Sequence, residues 1–437
     1  MQIKYTEYTV QDLIDLTILE RPLDGNHGET HPKGDDFISN GIPFIMSSDI
    51  KNSIIDFKNC KFISEYQAKN LRKGFSLTGD VLLTHKASIG RTAIVPDIPT
   101  EYIMLTPQVT YYRIKDFDKL NNYYLKYYFD SKSFQDVLAA YSGAGSTRAY
   151  IGITEQLNLP IRLPDIKNQR KIASVLSALD SKIELNNRIN AELEAMAKTL
   201  YDYWFVQFEF HDKNGKPYKT SGGKMVWSEE LKREIPEGFF KCKLGDVMAS
   251  TGTGLNPREN FVLGEGNNYY VTIKNIEQGR VILDNKCDKI TDTSLEIINK
   301  RSDLKIGDIL FTSIEPVGIT YLILEKPKNW NINESVFTIR PNYEKVTSEF
   351  LFMFLSGDYI KSYTKNVSAG SIHKGVRHSL LKDCKFMLPE RNTVDAFTMK
   401  IQPILNKLDL IQKENQKLTE LRDWLLPMLM NGQVKVN

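Results

Sequence analysis

The chain has 437 residues, more than one compact domain usually holds, so two or more folded units are expected, each with its own core. Hydrophobic residues make up 41% and charged residues 25%, with 21 Tyr and 21 Phe, which excludes a disordered or fibrous protein. The net charge of +3 permits nucleic-acid binding through local basic patches without demanding it.

The four cysteines, Cys60, Cys242, Cys287 and Cys384, stand too far apart to suggest a disulfide framework or a thiolate zinc site, and a reducing compartment fits them best. No apolar run reaches the roughly 20 residues needed to cross a bilayer, and the first residues lack a signal-peptide hydrophobic region. A cytoplasmic location is the expectation.

In chain order, Val10-Gln11-Asp12-Leu13 opens a first module. His27 and His31 have a metal-like spacing, but they lie among glycines and before Pro32, so a loop offering polar side chains to a ligand suits them better than a metal site. Ser47, Ser48 and Lys51 follow Phe44-Ile45-Met46 and make a first polar cluster. Gly79-Asp80 ahead of Val81-Leu82-Leu83-Thr84 reads as a turn into a buried strand, with Lys86, Gly90 and Arg91 behind it. Asp80 invites a metal reading, yet the turn chemistry of Gly-Asp accounts for it. Ala144-Gly145-Ser146 precedes Thr147 and Arg148, and Leu163-Pro164 closes the module.

A helix is predicted next, because Ile172, Leu176, Leu179, Ile183, Asn186, Asn190, Leu193, Ala197 and Leu200 step by fours and threes, as a coiled-coil seam does. An amphipathic helix lying on a globular core is the plainer alternative. At 1.5 Å per residue such a helix runs on the order of 50 Å, more than one turn of B-DNA at about 34 Å. The polar, Gly-rich stretch from His211 to Lys224 reads as a linker.

The second half repeats the first in order, at an offset of about 225 to 228 residues. Leu244-Gly245-Asp246-Val247 answers the opening segment, Tyr270 to Ile276 with Thr272, Lys274 and Asn275 answers the first polar cluster, and Gly307-Asp308 with Gly318 answers Gly79-Asp80 with Gly90. Glu315 stands where the first copy carries Lys86 and Arg91. Ala369-Gly370-Ser371 precedes His373, Lys374, Arg377 and His378, Leu388-Pro389 closes the copy, and Ile404, Leu408, Ile411, Asn415, Leu418, Arg422 and Leu425 form a second seam in matching register. Pro403 is expected in the first turn of that helix or at a kink. Asn190 and Asn415 fall at corresponding seam positions, where a polar residue can fix register at some cost in stability.

These features predict an α+β chain of two mixed α/β modules alternating with two long helices, each carrying a coiled-coil seam. The helix-pairing residues are Leu176, Leu179, Ile183, Asn190, Leu193, Leu200, Ile404, Leu408, Ile411, Asn415, Leu418 and Leu425. The clusters Ser47, Ser48, Lys51, Lys86, Arg91, Thr147, Arg148, and Thr272, Lys274, Asn275, Glu315, His373, Lys374, Arg377 are the candidate DNA contacts. Arg and Lys neutralise phosphates and pair with guanine, Ser, Thr and His supply shorter hydrogen bonds, and Glu accepts from the cytosine amino group. No phosphate loop, dinucleotide fingerprint or amino-methyltransferase signature is present, and Glu230-Leu231-Lys232 lacks the upstream Pro-Asp of a nuclease, so no catalytic and no metal residues are assigned. A coiled-coil scaffold that reads no DNA and a self-sufficient nuclease are the other classes weighed. The basic clusters oppose the first and the missing site opposes the second.

Nearly end to end, the chain resembles the specificity subunit of type I restriction-modification enzymes. The resemblance rests on the duplicated Gly-Asp motifs and on Leu163-Pro164 followed by Gln169, Ile172, Leu176, Leu179-Asp180 and Ile183. It implies a non-catalytic subunit with target-recognition domains at 1–165 and 236–390, spacer helices at 166–207 and 391–437 that pair as an antiparallel coiled coil, and a linker at 208–235. It further implies double-stranded DNA with a bipartite target, two modification subunits that carry S-adenosylmethionine and methylate adenine, and motor-nuclease subunits that use ATP and Mg²⁺. No cofactor is expected on this chain itself.

Overall fold

The computed structural model describes residues 3–28, 31–142, 150–229, 232–277, 279–368 and 375–436. It divides into two compact units, one formed by Met1–Leu185 with Gln416–Asn437 and one by Asn186–Asn415. Each unit thus holds one module and part of both long helices.

In the first unit, Leu23–Asp24, Val109–Tyr112, Val81–Thr84 and Thr92–Ile94 form a four-stranded antiparallel sheet in that order. All four residues of Val81–Thr84 are buried, as the unbroken apolar run after Gly-Asp requires. A second sheet runs Lys61–Ile63, Ile42–Ile45, Ile103–Leu105 and Phe75–Ser76, with its two middle strands parallel. The helices Asn122–Asp130 and Lys132–Tyr141 follow, capped by the side chains of Asn121 and Ser131.

The second unit repeats this plan. Met248–Thr253, Val336–Pro341, Ile309–Thr312 and Thr320–Leu322 form the first sheet, and Asp288–Ile290, Asn268–Val271 and Trp330–Ile332 the second, again with one parallel pair. Even the register is kept, since Val81 faces Tyr112 and Ile309 faces Ile339. Helices Ser348–Ser356 and Asp358–Ser368 complete the copy. In each unit a short strand pair joins the start of the module to its end, Thr6–Thr9 with Pro160–Leu163 and Phe240–Lys243 with Lys385–Leu388. That pairing delivers the chain to a long helix.

The long helices are Ile166–Tyr201 and Arg391–Met430. In the first unit Ile172 and Leu176 are buried in one cluster with Leu429 and Met430, and Leu425 packs against it. Asp180 meets Arg422 at 3.0 Å, and the Lys171 ammonium donates to the Val436 carbonyl. In the second unit Ala197 shares a cluster with Ile401, Leu405 and Leu408, with Leu193, Leu200 and Ile404 packed against it. Asn186 donates to Asn415 Oδ1 at 2.9 Å. Ascending numbers on one helix meet descending numbers on the other within each unit, so the pairing is antiparallel. The remaining predicted seam residues Leu179, Ile183 and Leu418 are half-buried, and Ile411 is buried. Pro403 is exposed and lies well inside the second helix rather than in its first turn, because that helix already begins at Arg391. Its missing N–H leaves one helical carbonyl without a backbone donor.

The four cysteines are free, and burial pushes their thiols up, to about 11 for Cys60 and Cys287 and about 12 for Cys242 and Cys384. No helix among the described residues is long and apolar enough to cross a membrane.

Candidate nucleic-acid interface

The duplicated Gly-Asp motif builds the same loop in both units. Asp80 is buried and accepts the Arg113 guanidinium through two bonds of 3.0 and 2.8 Å, while Asp308 accepts Arg340 through two of 2.7 Å. Arg113 directly follows the neighbouring strand, and Arg340 lies near the end of its counterpart. Each fork therefore ties the Gly-Asp turn to the adjacent strand, which is a structural role rather than a metal one. Among the described residues no group of three His, Cys, Asp or Glu is placed to share a metal ion. The arginines carry no periodic signature and were not singled out from the sequence.

Past the strand, the Thr84 carbonyl accepts from the Gly90 N–H at 2.9 Å and the Thr312 carbonyl from the Gly318 N–H at 2.9 Å. The hydroxyl of each threonine accepts a backbone N–H from beyond the loop, that of Arg91 in one case and of Ile319 in the other, both at 2.9 Å. Gly90 and Gly318 close the loops with φ of +89° and +87°, a conformation that side chains with a Cβ rarely adopt. Residues 85–89 and 313–317 are thus held at both ends, and their contents differ, with Lys86 in the first and Glu315 in the second.

In the first unit Lys86 is exposed, with its ammonium 5.7 Å from the centre of the Tyr150 ring. Arg91 donates through Nη1 to the carbonyls of Ser47 and Ile50, at 3.1 and 3.3 Å, and so joins this loop to the first polar cluster. Ser47 is turned inward and donates to Gln108 Oε1 at 2.9 Å, whereas Ser48 and Lys51 are exposed. His85 is buried below the loop. Burial pushes it below the usual histidine range, its Nδ1 donates to the Ile151 carbonyl at 2.9 Å, and its Nε2 has no partner among the described residues. Beside it, burial works against charge on Asp24, but Lys73 and His27 outweigh it and hold that carboxyl below the usual range. His31 instead bonds to the Asn26 carbonyl at 3.2 Å, so the two histidines of the loop do not converge on a metal.

In the second unit Asn275 is buried and caps its own turn, accepting from the Thr272 N–H at 2.9 Å and hydroxyl at 3.0 Å, while Lys274 is exposed. Glu315 stands exposed on the closed loop. Arg377 is exposed at the start of the helix His378–Lys382, and the adjacent Val376 N–H donates to the Ser313 carbonyl at 2.7 Å, tying that segment to the loop. The first unit makes the equivalent tie from Ile151 to His85. Thr147, Arg148, His373 and Lys374 lie outside the described residues. Tyr150, His27 and Lys73 extend the polar face of the first unit beyond the residues picked out by charge alone.

Comparison with known families matches residues 5–195 and 236–422 to the type I restriction modification DNA specificity domain, once for each half. The type I restriction enzyme MjaIX specificity subunit of Methanocaldococcus jannaschii is 25% identical over 402 residues, covering 90% of this chain and 87% of its own. The type I restriction enzyme HindI specificity subunit of Haemophilus influenzae is 24% identical over 326 residues, covering 63% and 69%. Among solved structures, the type I restriction-modification S subunit from M. genitalium aligns with a TM-score of 0.60 at 16% identity, covering 98% of this chain and 96% of that one.

Proposed function

The chain belongs to the type I restriction modification DNA specificity family as a specificity subunit, and from that premise we propose that it reads a bipartite DNA target, one half through each module, with the long helices setting the gap. The observation that carries this reading is the duplication: two modules that share the order of their first sheet and the parallel pair of their second, each presenting a closed loop of different charge. Exposed Ser48, Lys51 and Lys86 in one unit, and Lys274, Glu315 and Arg377 in the other, are the contacts with phosphates and base edges. Inward-facing Ser47 and Asn275 shape the turns that carry them.

The chain itself is non-catalytic in this reading and binds no cofactor. Two modification subunits bring S-adenosylmethionine for adenine methylation, and motor-nuclease subunits bring ATP and Mg²⁺. Support for a doubled partner comes from the outer helix faces. Leu185 and Met196 of the first helix are 43% and 57% exposed, and their repeat counterparts Leu410 and Leu421 of the second are 60% and 42% exposed. Matched apolar positions left open on two equivalent rods suit two copies of one partner.

Methylation mapping in cells that carry this chain with its modification subunits tests the reading. A split motif with one fixed central gap is expected; a continuous motif, or none, sinks the bipartite assignment.

A further inference from the structure

One carboxylate in the first unit joins three elements. Asp180, on the first long helix, accepts from Arg422 of the second long helix through Oδ1 at 3.0 Å. Its Oδ2 accepts the Tyr127 hydroxyl at 2.7 Å and the Lys126 ammonium at 3.3 Å, both from the module's helix Asn122–Asp130. Lys126 is buried and also pairs with Asp130 at 3.0 Å. Burial disfavours charge on Asp180, yet the Lys126 and Arg422 cations and the Tyr127 hydroxyl hold its carboxyl below the usual range.

The repeat supplies a control inside the same molecule. Counterparts of Lys126, Tyr127, Asp180 and Arg422 in the second unit are Phe352, Met353, Leu405 and Ala197, which lie in or against a single apolar cluster. Apolar contact is non-directional and tolerates sliding, whereas hydrogen bonds to one carboxylate restrict both distance and angle. Buried polar groups are best attested where they choose one geometry among several.

We propose that Lys126, Tyr127, Asp180 and Arg422 are positioning residues that fix the angle at which the first recognition module sits on its two helices, and thereby which gap between half-targets the complex accepts. The proposal rests on the bipartite reading above. A gap changed by one base pair moves a half-target by about 3.4 Å. A rigid seat rejects that displacement, and a slippery one absorbs it.

Methylation mapping with the assembled complex reads gap and half-sequences together. The wild type and Arg422→Lys, which keeps the ion pair, are expected to modify one gap length. Asp180→Asn, and the triple variant Lys126→Phe with Asp180→Leu and Arg422→Ala that brings the second unit's apolar residues to three of the four positions, are expected to gain about tenfold in modification of targets one base pair longer or shorter, with both half-sequences unchanged. The triple variant guards against a folding failure of Asp180→Asn. Unchanged gap selectivity in a triple variant that keeps the wild-type thermal midpoint overturns the proposal, as does a broadened half-sequence at constant gap. Absence of any split motif in the wild type counts against the bipartite reading itself.

Discussion

Where the first unit sets Asp180, Lys126, Tyr127 and Arg422 together, the second sets Leu405, Phe352, Met353 and Ala197. The loops diverge as well, Lys86 and Arg91 standing in one and Glu315 in the other. Yet the buried forks Asp80 with Arg113 and Asp308 with Arg340 are the same, as are the sheet order and register around them. The two halves therefore hold constant what closes the loop and vary what the loop presents and what the module rests on. A fork buried between turn and strand has few substitutes, because removing either partner strands a charge, whereas a helix contact is satisfied by any well-packed set of side chains.

Breaking the fork gives the largest effect. Arg340→Met leaves Asp308, which is fully buried, with only the Lys305 N–H at 2.8 Å among the bonds described. Loss of about 3–5 kcal/mol is expected on urea denaturation. Arg113→Met costs less, because Asp80 keeps the Ser76 hydroxyl at 2.9 Å as well as the Leu77 N–H at 2.8 Å. Equal losses, or a larger one for Arg113→Met, would show that the residual donors do not matter.

The two helix seats should separate next, by their response to acid. The Lys126 and Arg422 cations hold Asp180 below its unfolded value of about 3.9, against the opposing effect of burial, so its contribution is complete above that pH and fades as the pH falls through the folded value. Comparing the wild type with the Lys126→Phe, Asp180→Leu, Arg422→Ala variant changes this group together with the partners of Asp130 and Asp423, while Asp24 and the carboxyls away from the node cancel. The difference in stability is expected to move in the variant's favour as the solution is taken from neutral to below pH 4. A difference independent of pH would remove Asp180 as its source.

Much of this organisation is written in the chain as periodicity. The seam of Ile172, Leu176, Leu179, Ile183, Asn186, Asn190, Leu193, Ala197 and Leu200 lies entirely on the covered face of its helix, because a run of fours and threes leaves one stripe to bury. The duplicated Gly-Asp turns are legible for a similar reason, since a positive φ and a buried strand each demand particular residues. What stays hidden is pairing between distant side chains. Arg113, Arg340 and the node at Asp180 depend on which strand and helix lie alongside, and spacing along the chain is silent about that. Which loop side chains face outward is equally hidden, so that Ser47 and Ser48 look alike in sequence and point opposite ways.

The smallest effect tests the finest difference between the repeats. Asn190 and Asn415 are counterparts, and both are buried. Antiparallel pairing nevertheless sets Asn415 beside Asn186 and not beside Asn190. Asn415 accepts from Asn186 at 2.9 Å and donates to Asn187 at 2.9 Å, whereas Asn190 Oδ1 meets no donor among the described residues. The register places Asn190 level with Ile411, the counterpart of Asn186, so the repeat supplies an apolar side chain where a polar partner is needed. Replacing Asn415 by Leu takes one of two acceptors from the Asn186 amide, which keeps Glu414 Oε2 at 2.8 Å, and the donor from exposed Asn187, and should destabilise by about 1 kcal/mol, while Asn190→Leu removes a buried amide oxygen that lacks a donor among the described residues and should stabilise by about 1 kcal/mol. One substitution at two equivalent positions is thus expected to shift the thermal midpoint in opposite directions. Shifts of the same sign would mean that the seam treats the two positions alike, and that its polar layer does not set the register.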